Sequence, residues 1–374
     1  MIRFNQPFIT GKEIEYIQDC IEQGRLSGNG KYTKLCHTIF QKMLGSKKVL
    51  LTTSCTDALE MTSLLADIKF GDEVIIPSYT FVSSANAYVL RDATIRFADS
   101  EEDFPNIDAD KIEELITPKT KAIVVVHYAG AACDMDKIMS IAKKHNLVVI
   151  EDAAQCIDSY YKGKPLGSIG DMSAFSFHET KNIISGEGGL LAVNNPDFVS
   201  HAEIIWEKGT NRAAFYRGET DKYTWVDRGS SFLPSDITAA FLYAQLLQLE
   251  EIQKKRVSIW DFYYENLKEL ESKGKVKLPK LKEYQSNNGH VFFLQTDSID
   301  QRDDLIQHLK KNEIMAVFHY LTLHDSPFYA KKHDGRSLPN ARKFGDTLLR
   351  LPLHANLSEQ DLNHIATAIN SFYE

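Results

Sequence analysis

Long apolar runs are missing from this 374-residue chain. No stretch of about 18 apolar residues occurs, and the opening MIRFNQPFITGKEIEYIQ has no apolar core behind a basic start. The expectation is a protein neither secreted nor membrane-spanning. Cysteine is sparse: Cys20, Cys36, Cys55, Cys133 and Cys156 form no CxxC pair and no repeated spacing. That argues against a disulfide or zinc framework and for reduced thiols in the cytosol. Positive charge is in deficit, with 43 Lys and Arg against 51 Asp and Glu, which argues against a nucleic-acid polyanion as the main partner and leaves room for a local basic patch for phosphates. Pro/Gly-rich tracts, low-complexity stretches and internal repeats are also absent. With 43% hydrophobic and 25% charged residues the chain is an ordinary globular one, too long for a single core. A large domain, a smaller one and a small-molecule partner are expected.

From about residue 47, short β-branched runs alternate with amphipathic stretches. The runs are Lys48–Thr53, Glu73–Pro77, Ile95–Ala98, Ala122–His127 and Leu147–Glu151, followed by SAFSF (173–177) and GLLAVN (189–194). Runs apolar on both faces, such as AIVVV, fit strands buried in a mainly parallel α/β sheet, and segments such as MDKIMSIAKKH between them have helical spacing. Residues 236–272 read as one or two long helices capped by Ser235 or Asp236. Beyond them HVFFLQ, a helix around QRDDLIQHLKK, the strand-like IMAVFHY and a helix after Ser358 suggest a small α+β unit. The expected division is 1–250 and 251–374, joined through a long helix.

The strand LVVIE ends in Glu151-Asp152, and ligands of open α/β sheets gather at the carboxyl ends of strands. Alone, such an acid caps the next helix as readily as it binds a ligand. Further along, SFHETKN places Ser176 and Lys181 just after another strand. Pyridoxal phosphate needs an amine for its aldehyde, an anion facing its pyridine nitrogen and donors for its phosphate; Lys181, Asp152 and Ser176 are of those three kinds. The turn Thr53-Ser54-Cys55-Thr56-Asp57, between KKVLLT and the helical LEMTSLLAD, offers the amides of a helix start, which attract anions.

The set TSCTDAL, PSYTFVSSANA, HYAGAACDMD, VVIEDAAQ, SFHETKN, GEGG and LPLHANLS resembles the DegT/DnrJ/EryC1/StrS family of nucleotide-sugar aminotransferases over nearly the whole chain. The resemblance implies a type I pyridoxal-phosphate-dependent aminotransferase fold of class α/β, with a mainly parallel seven-stranded sheet plus a small C-terminal α+β domain. It also implies a homodimer with active sites at the subunit interface. By position it implies Lys181 as the Schiff-base lysine and proton shuttle, Asp152 on the pyridine nitrogen and Gln155 near the phenolic oxygen. Ser176, with the amides around Cys55 and Thr56, would hold the phosphate, and Phe81 would stack on the ring. Where many members carry an asparagine that reaches the partner subunit's phosphate, this chain has Ser231, whose shorter side chain still donates one hydrogen bond.

The resemblance further implies L-glutamate as amine donor and a nucleotide-linked keto-sugar as acceptor, favouring a dTDP-linked 4-keto-6-deoxyglucose aminated to the galacto product. A UDP sugar, a 3-keto sugar and the gluco product stay open. EKGTNRAAFYRGETDKYTWVDR interleaves Lys208, Arg212, Arg217 and Lys222 with Phe215, Tyr216, Tyr223 and Trp225, cations for a diphosphate and rings for a base, or else a solvated loop. His319, Tyr320 and His324 occupy a comparable position near the family's cleft. Sugar dehydratases of the same family carry histidine in place of the lysine, and Lys181 stands against that reaction. No basic helix-turn-helix precedes the sheet, which stands against a regulatory protein.

Overall fold

The computed structural model describes all 374 residues. The β-branched runs form β1 Lys48–Thr52, β2 Glu73–Pro77, β3 Thr94–Ala98, β4 Thr120–Val126 and β5 Val148–Asp152. Next come a two-residue hairpin, β6 Tyr160–Tyr161 and β7 Lys164–Pro165, then β8 Met172–Ser176 and β9 Gly189–Val193. The last two are β10 Phe293–Gln295 and β11 Leu348–Arg350. Seven of them make one sheet in the order β1-β9-β8-β5-β4-β2-β3. The strands β3, β2, β4, β5 and β8 run parallel, and β9 runs antiparallel to β8 and β1. Every residue of β8 and β9 is buried, as the unbroken apolar runs require of strands covered on both faces.

This topology sets a row of chain ends along one sheet edge. Asp152 closes β5 beside Ala174, Ser176 closes β8 beside Gly189, which opens β9, and Gly189 faces Thr52 at the end of β1. Three strands whose last residues, Thr52, Asp152 and Ser176, lie 24 to 124 positions apart in the sequence therefore end at one place.

Helices Glu13–Glu22, Lys31–Leu44 and Asp236–Leu247 pack over one face of the sheet. Helices Cys55–Leu65, Ser83–Val89 and Val199–Trp206 cover the other, joined there by Leu323, Leu338, Phe344 and Leu348 of the C-terminal segment. Ser235 caps Asp236–Leu247 by accepting the Thr238 amide at 3.2 Å. Asp236 itself is buried and accepts from the amides of Tyr32 (3.1 Å) and Thr33 (2.9 Å) and from the Thr33 hydroxyl (2.7 Å). It thereby anchors the start of the neighbouring helix. A break at Gln248 separates that helix from Leu249–Ser272, whose Ile252 belongs to the first core and whose Ile259, Tyr263, Leu267 and Leu270 belong to a third. That third core also holds helices Ile299–Lys311 and Glu359–Tyr373 and the β10–β11 pair.

IMAVFHY departs from expectation. It forms no strand and pairs with neighbouring backbone only at single bridges, Ile314 with Ile2 and Val317 with Arg350. The cause is long-range: the His319 carbonyl accepts from the hydroxyls of Tyr79 (2.5 Å) and Tyr128 (3.0 Å), which draws the chain off the sheet.

Candidate active site

The sheet edge opens into a cavity of about 520 Å³, a size suited to a cofactor or small ligand. Its floor is the row of strand ends. Asp152 is buried and lies within 4 Å of no cation; its carboxylate accepts from the Ser84 hydroxyl at 2.6 Å and from the Ala154 amide at 3.1 Å. Burial drives its pKa up, and Ser84, the Ala154 amide and Lys181 only partly offset this. A buried carboxylate held rigidly without a counter-cation is suited to a ligand that brings one.

The adjacent Glu151 is used differently. Burial pushes it up, but the His127 hydrogen bond and the amides of Gly170 and Gly167 outweigh that and hold it below the usual carboxylate range. It fixes the 167–170 turn. Of the two neighbouring acids, one is structural and one faces the cavity.

At the wall, β1 turns into helix Cys55–Leu65 with Ser54 as cap, its side chain accepting from the Asp57 amide at 3.0 Å. The amides of Cys55 and Thr56, in the first turn, have no intrahelical partner, and both residues line the cavity. Gly189 makes this approach possible. A Cβ there would lie 2.4 Å from the Ser54 carbonyl and 2.5 Å from the Cys55 nitrogen, so the glycine of GEGG is needed for backbone proximity.

Lys181 sits in the turn after β8, its amide bonded to the His178 carbonyl at 2.9 Å. Asn182 holds that turn to the C-terminal segment: its amide donates to Gln253 (2.8 Å) and to the Asn288 carbonyl (2.9 Å), and its oxygen accepts from His290 Nδ1 at 2.6 Å. Gln155 Oε1 accepts from the Ala129 amide at 2.6 Å, so the NH₂ end of Gln155 is free to donate within the cavity. Phe81 is 53% exposed although aromatic, lines the same space, and lies 5.8 Å from the Tyr320 ring.

Nine residues predicted from sequence thus share one cavity: Cys55, Thr56, Phe81, Asp152, Gln155, Ser176, Lys181, His319 and Tyr320. Ser231, Lys208 and Arg212 do not reach it within one chain. They line a second cavity of about 610 Å³ with Arg25, Lys34 and Arg217. Tyr223 is exposed, 6.0 Å from the Arg212 guanidinium. His324 turns away, bonded to Ser78 at 2.6 Å and packed near Phe97 and His333. Sequence reasoning missed Phe4, Asn5, His290 and Arg350, all in the first cavity. Of these only Arg350 carried a signal, standing directly before LPLHANLS.

The model of the DegT/DnrJ/EryC1/StrS aminotransferase family matches residues 7–370. The chain belongs to this family. Among its relatives is GDP-perosamine synthase of Escherichia coli O157:H7, 32% identical over 369 residues, 98% of this chain and 97% of that protein. Another is the spore coat polysaccharide biosynthesis protein SpsC of Bacillus subtilis, 32% identical over 375 residues, 98% and 95% of the two chains. Among solved structures, Spr1654 of Streptococcus pneumoniae superposes in its PLP form with a TM-score of 0.90 and in its PMP form with 0.91. Both are 27% identical, covering 99% and 100% of this chain and 98% and 99% of that one. This member of the DegT/DnrJ/EryC1/StrS family is a pyridoxal-phosphate-dependent sugar aminotransferase of the type I fold. The cavity fits the cofactor: an amine, an anion without a cation, free amides at a helix start and an exposed aromatic ring. No helix is long and apolar enough to cross a membrane.

Proposed function

We propose that this enzyme transfers the amino group of L-glutamate to carbon 4 of dTDP-4-keto-6-deoxy-D-glucose, giving dTDP-4-amino-4,6-dideoxy-D-galactose and 2-oxoglutarate. The observation that carries the chemistry is the convergence of Lys181, Asp152, Ser176 and the Cys55 helix start in one cavity. The sugar and nucleotide rest on sequence likeness in SCT, PSYTFVS, HYAG, FHETKN, EKGTNR, DKYTW and IMAVFHY.

When bound, pyridoxal phosphate supplies an electron sink next to the substrate nitrogen. Asp152 would keep the pyridine nitrogen protonated, its carboxylate held in place by the Ser84 hydroxyl and the Ala154 amide. Lys181 is the residue that would hold the cofactor, and its Nζ would be the group that takes up and returns a proton in the cavity. Ser176 and the Cys55 and Thr56 amides would hold the phosphate, Gln155 would donate to the phenolic oxygen, and Phe81 would cover the ring. Ser231, Lys208, Arg212 and Tyr223 serve the neighbouring subunit of a homodimer, where the cations of the second cavity meet the nucleotide diphosphate.

Incubating the enzyme with glutamate and a panel of dTDP-, UDP- and GDP-linked keto-sugars, with NMR of the product, tests this reading. The expected result is a 4-amino galacto product from the dTDP sugar. Preference for another nucleotide, or amination at carbon 3, would overturn the substrate assignment.

A further inference from the structure

Asn182 follows Lys181 directly and is buried. The Asn288 carbonyl, 2.9 Å away, can only accept, so the atom facing it is the NH₂ of Asn182, which also donates to Gln253 Oε1 at 2.8 Å. Both hydrogens of that group are then used, and Oδ1 is the atom left to face His290 Nδ1 at 2.6 Å. An amide oxygen has no hydrogen to give, so Nδ1 carries the proton of that bond. The side chain of Asn182 thereby selects one of the two neutral forms of His290.

The imidazole stays neutral because burial first, then the cations of Lys181, Arg256 and Arg350, push its pKa well down. With Nδ1 protonated, Nε2 holds a lone pair and is the only polar atom of the ring left for the cavity. The residue is fixed at its backbone: the His290 amide donates to Asn288 Oδ1 (3.0 Å), and the His290 carbonyl accepts from Arg256 Nη2 (2.7 Å). Asn288 in turn donates to the carbonyls of Gln155 (2.8 Å) and Ile157 (2.9 Å). His290 lines the same cavity as Lys181, and neither Nε2 of the one nor Nζ of the other is hydrogen-bonded within the protein. The buried carboxylate of the cavity, Asp152, already accepts from Ser84 and the Ala154 amide. One cavity therefore holds an amine without an acceptor and a fixed acceptor without a donor.

We propose that Asn182 and His290 are positioning residues for Lys181: Asn182 sets the tautomer of His290, and His290 Nε2 accepts a hydrogen bond from Lys181 Nζ when the lysine is free of the cofactor. This deepens the transamination reading above and rests on Lys181 being its lysine. The hydrogen stays on Nζ, since a buried imidazole flanked by cations is too weak a base to take it. One N–H of the lysine is tied down and the rest of the amine faces the cavity, an orientation that a flexible four-carbon stem does not give by itself. The same bond joins the turn after β8 to the C-terminal segment.

Two measurements test this on the holoenzyme. With the histidine nitrogens isotopically labelled, the NMR signal of His290, identified by its loss in His290→Gln, should report a proton on Nδ1 and none on Nε2. A proton on Nε2 would overturn the proposal, and this reading does not depend on any variant being active. In single turnover with glutamate, followed by the cofactor spectrum, His290→Phe should lower the limiting rate about 100-fold, with the half-saturating glutamate concentration and the cofactor Kd within about threefold of wild type. His290→Gln, whose side-chain oxygen can accept in place of Nε2, should recover the rate to within about tenfold of wild type. An unchanged rate in His290→Phe, equally low rates in the two variants, or a loss confined to glutamate or cofactor affinity would overturn the proposal. Absence of a borohydride-sensitive cofactor band in wild type would instead sink the transamination reading itself, so the two failures are distinct.

Discussion

At the scale of single residues, the site depends on groups whose environments differ more than their chemistry. Asp152 and Glu151 are adjacent carboxylates, yet Glu151 is bound by His127 and backbone amides while Asp152 has only Ser84 and one amide. Replacing Asp152 with Asn should leave the cofactor bound and lower kcat by about 10²–10⁴-fold; a loss of under tenfold would remove its role at the pyridine nitrogen. Gly189→Ala forces a Cβ into the Ser54–Cys55 peptide and should weaken pyridoxal phosphate binding by at least about tenfold, or about 1.4 kcal/mol. Equilibrium dialysis with the free cofactor measures it.

The histidines add a pH dependence. Burial first, then the Arg350 and Lys181 cations, hold His319 down at about 4 against an ordinary 6.5. The unfolded chain therefore takes up a proton near pH 6.5 that the folded chain refuses until about pH 4, so stability falls as pH is lowered through that window. Urea midpoints at pH 7.5, 6 and 5 should decline in order, and His319→Gln should flatten the decline. An unchanged slope in that variant would contradict the assignment.

Among elements, strands and helices were legible where a residue's neighbours along the chain decide its state. The seven sheet strands lie within two residues of the apolar runs, and the capped helix starts at Ser54, Ser235 and Ser358 bear the side-chain signals that a cap requires. IMAVFHY misled because its alternation was real, but Tyr79 and Tyr128 divert the chain to place His319 and Tyr320 at the cavity. No local pattern carries that information. His290 and Phe4 were invisible for the same reason: their positions are set by long-range packing. Asp236 shows what such packing supports, since its carboxylate caps the helix at Lys31 from a different helix. Asp236→Ala should destabilise the protein by about 2–4 kcal/mol, read from chemical denaturation.

At the scale of the molecule, the sheet supplies the cavity floor and the C-terminal segment supplies His290, His319, Tyr320 and Arg350 to the same cavity. We place the division of the chain near residue 250, where helix Leu249–Ser272 passes from the sheet's core into the third core. Ile14 at 74%, Phe70 at 85% and Trp225 at 78% are large apolar side chains left exposed by the single chain, and we propose that it forms a homodimer. Sedimentation should give a dimer of the 42.4 kDa chain, and a monomer would leave the second cavity without its proposed use. The central claim, that Lys181 is the residue joined to the cofactor, is tested most directly by reducing the holoenzyme with borohydride and mapping the modified peptide by mass spectrometry. The account predicts a phosphopyridoxyl group on Lys181 alone, within SFHETKN; a modified lysine elsewhere, or none, would contradict it.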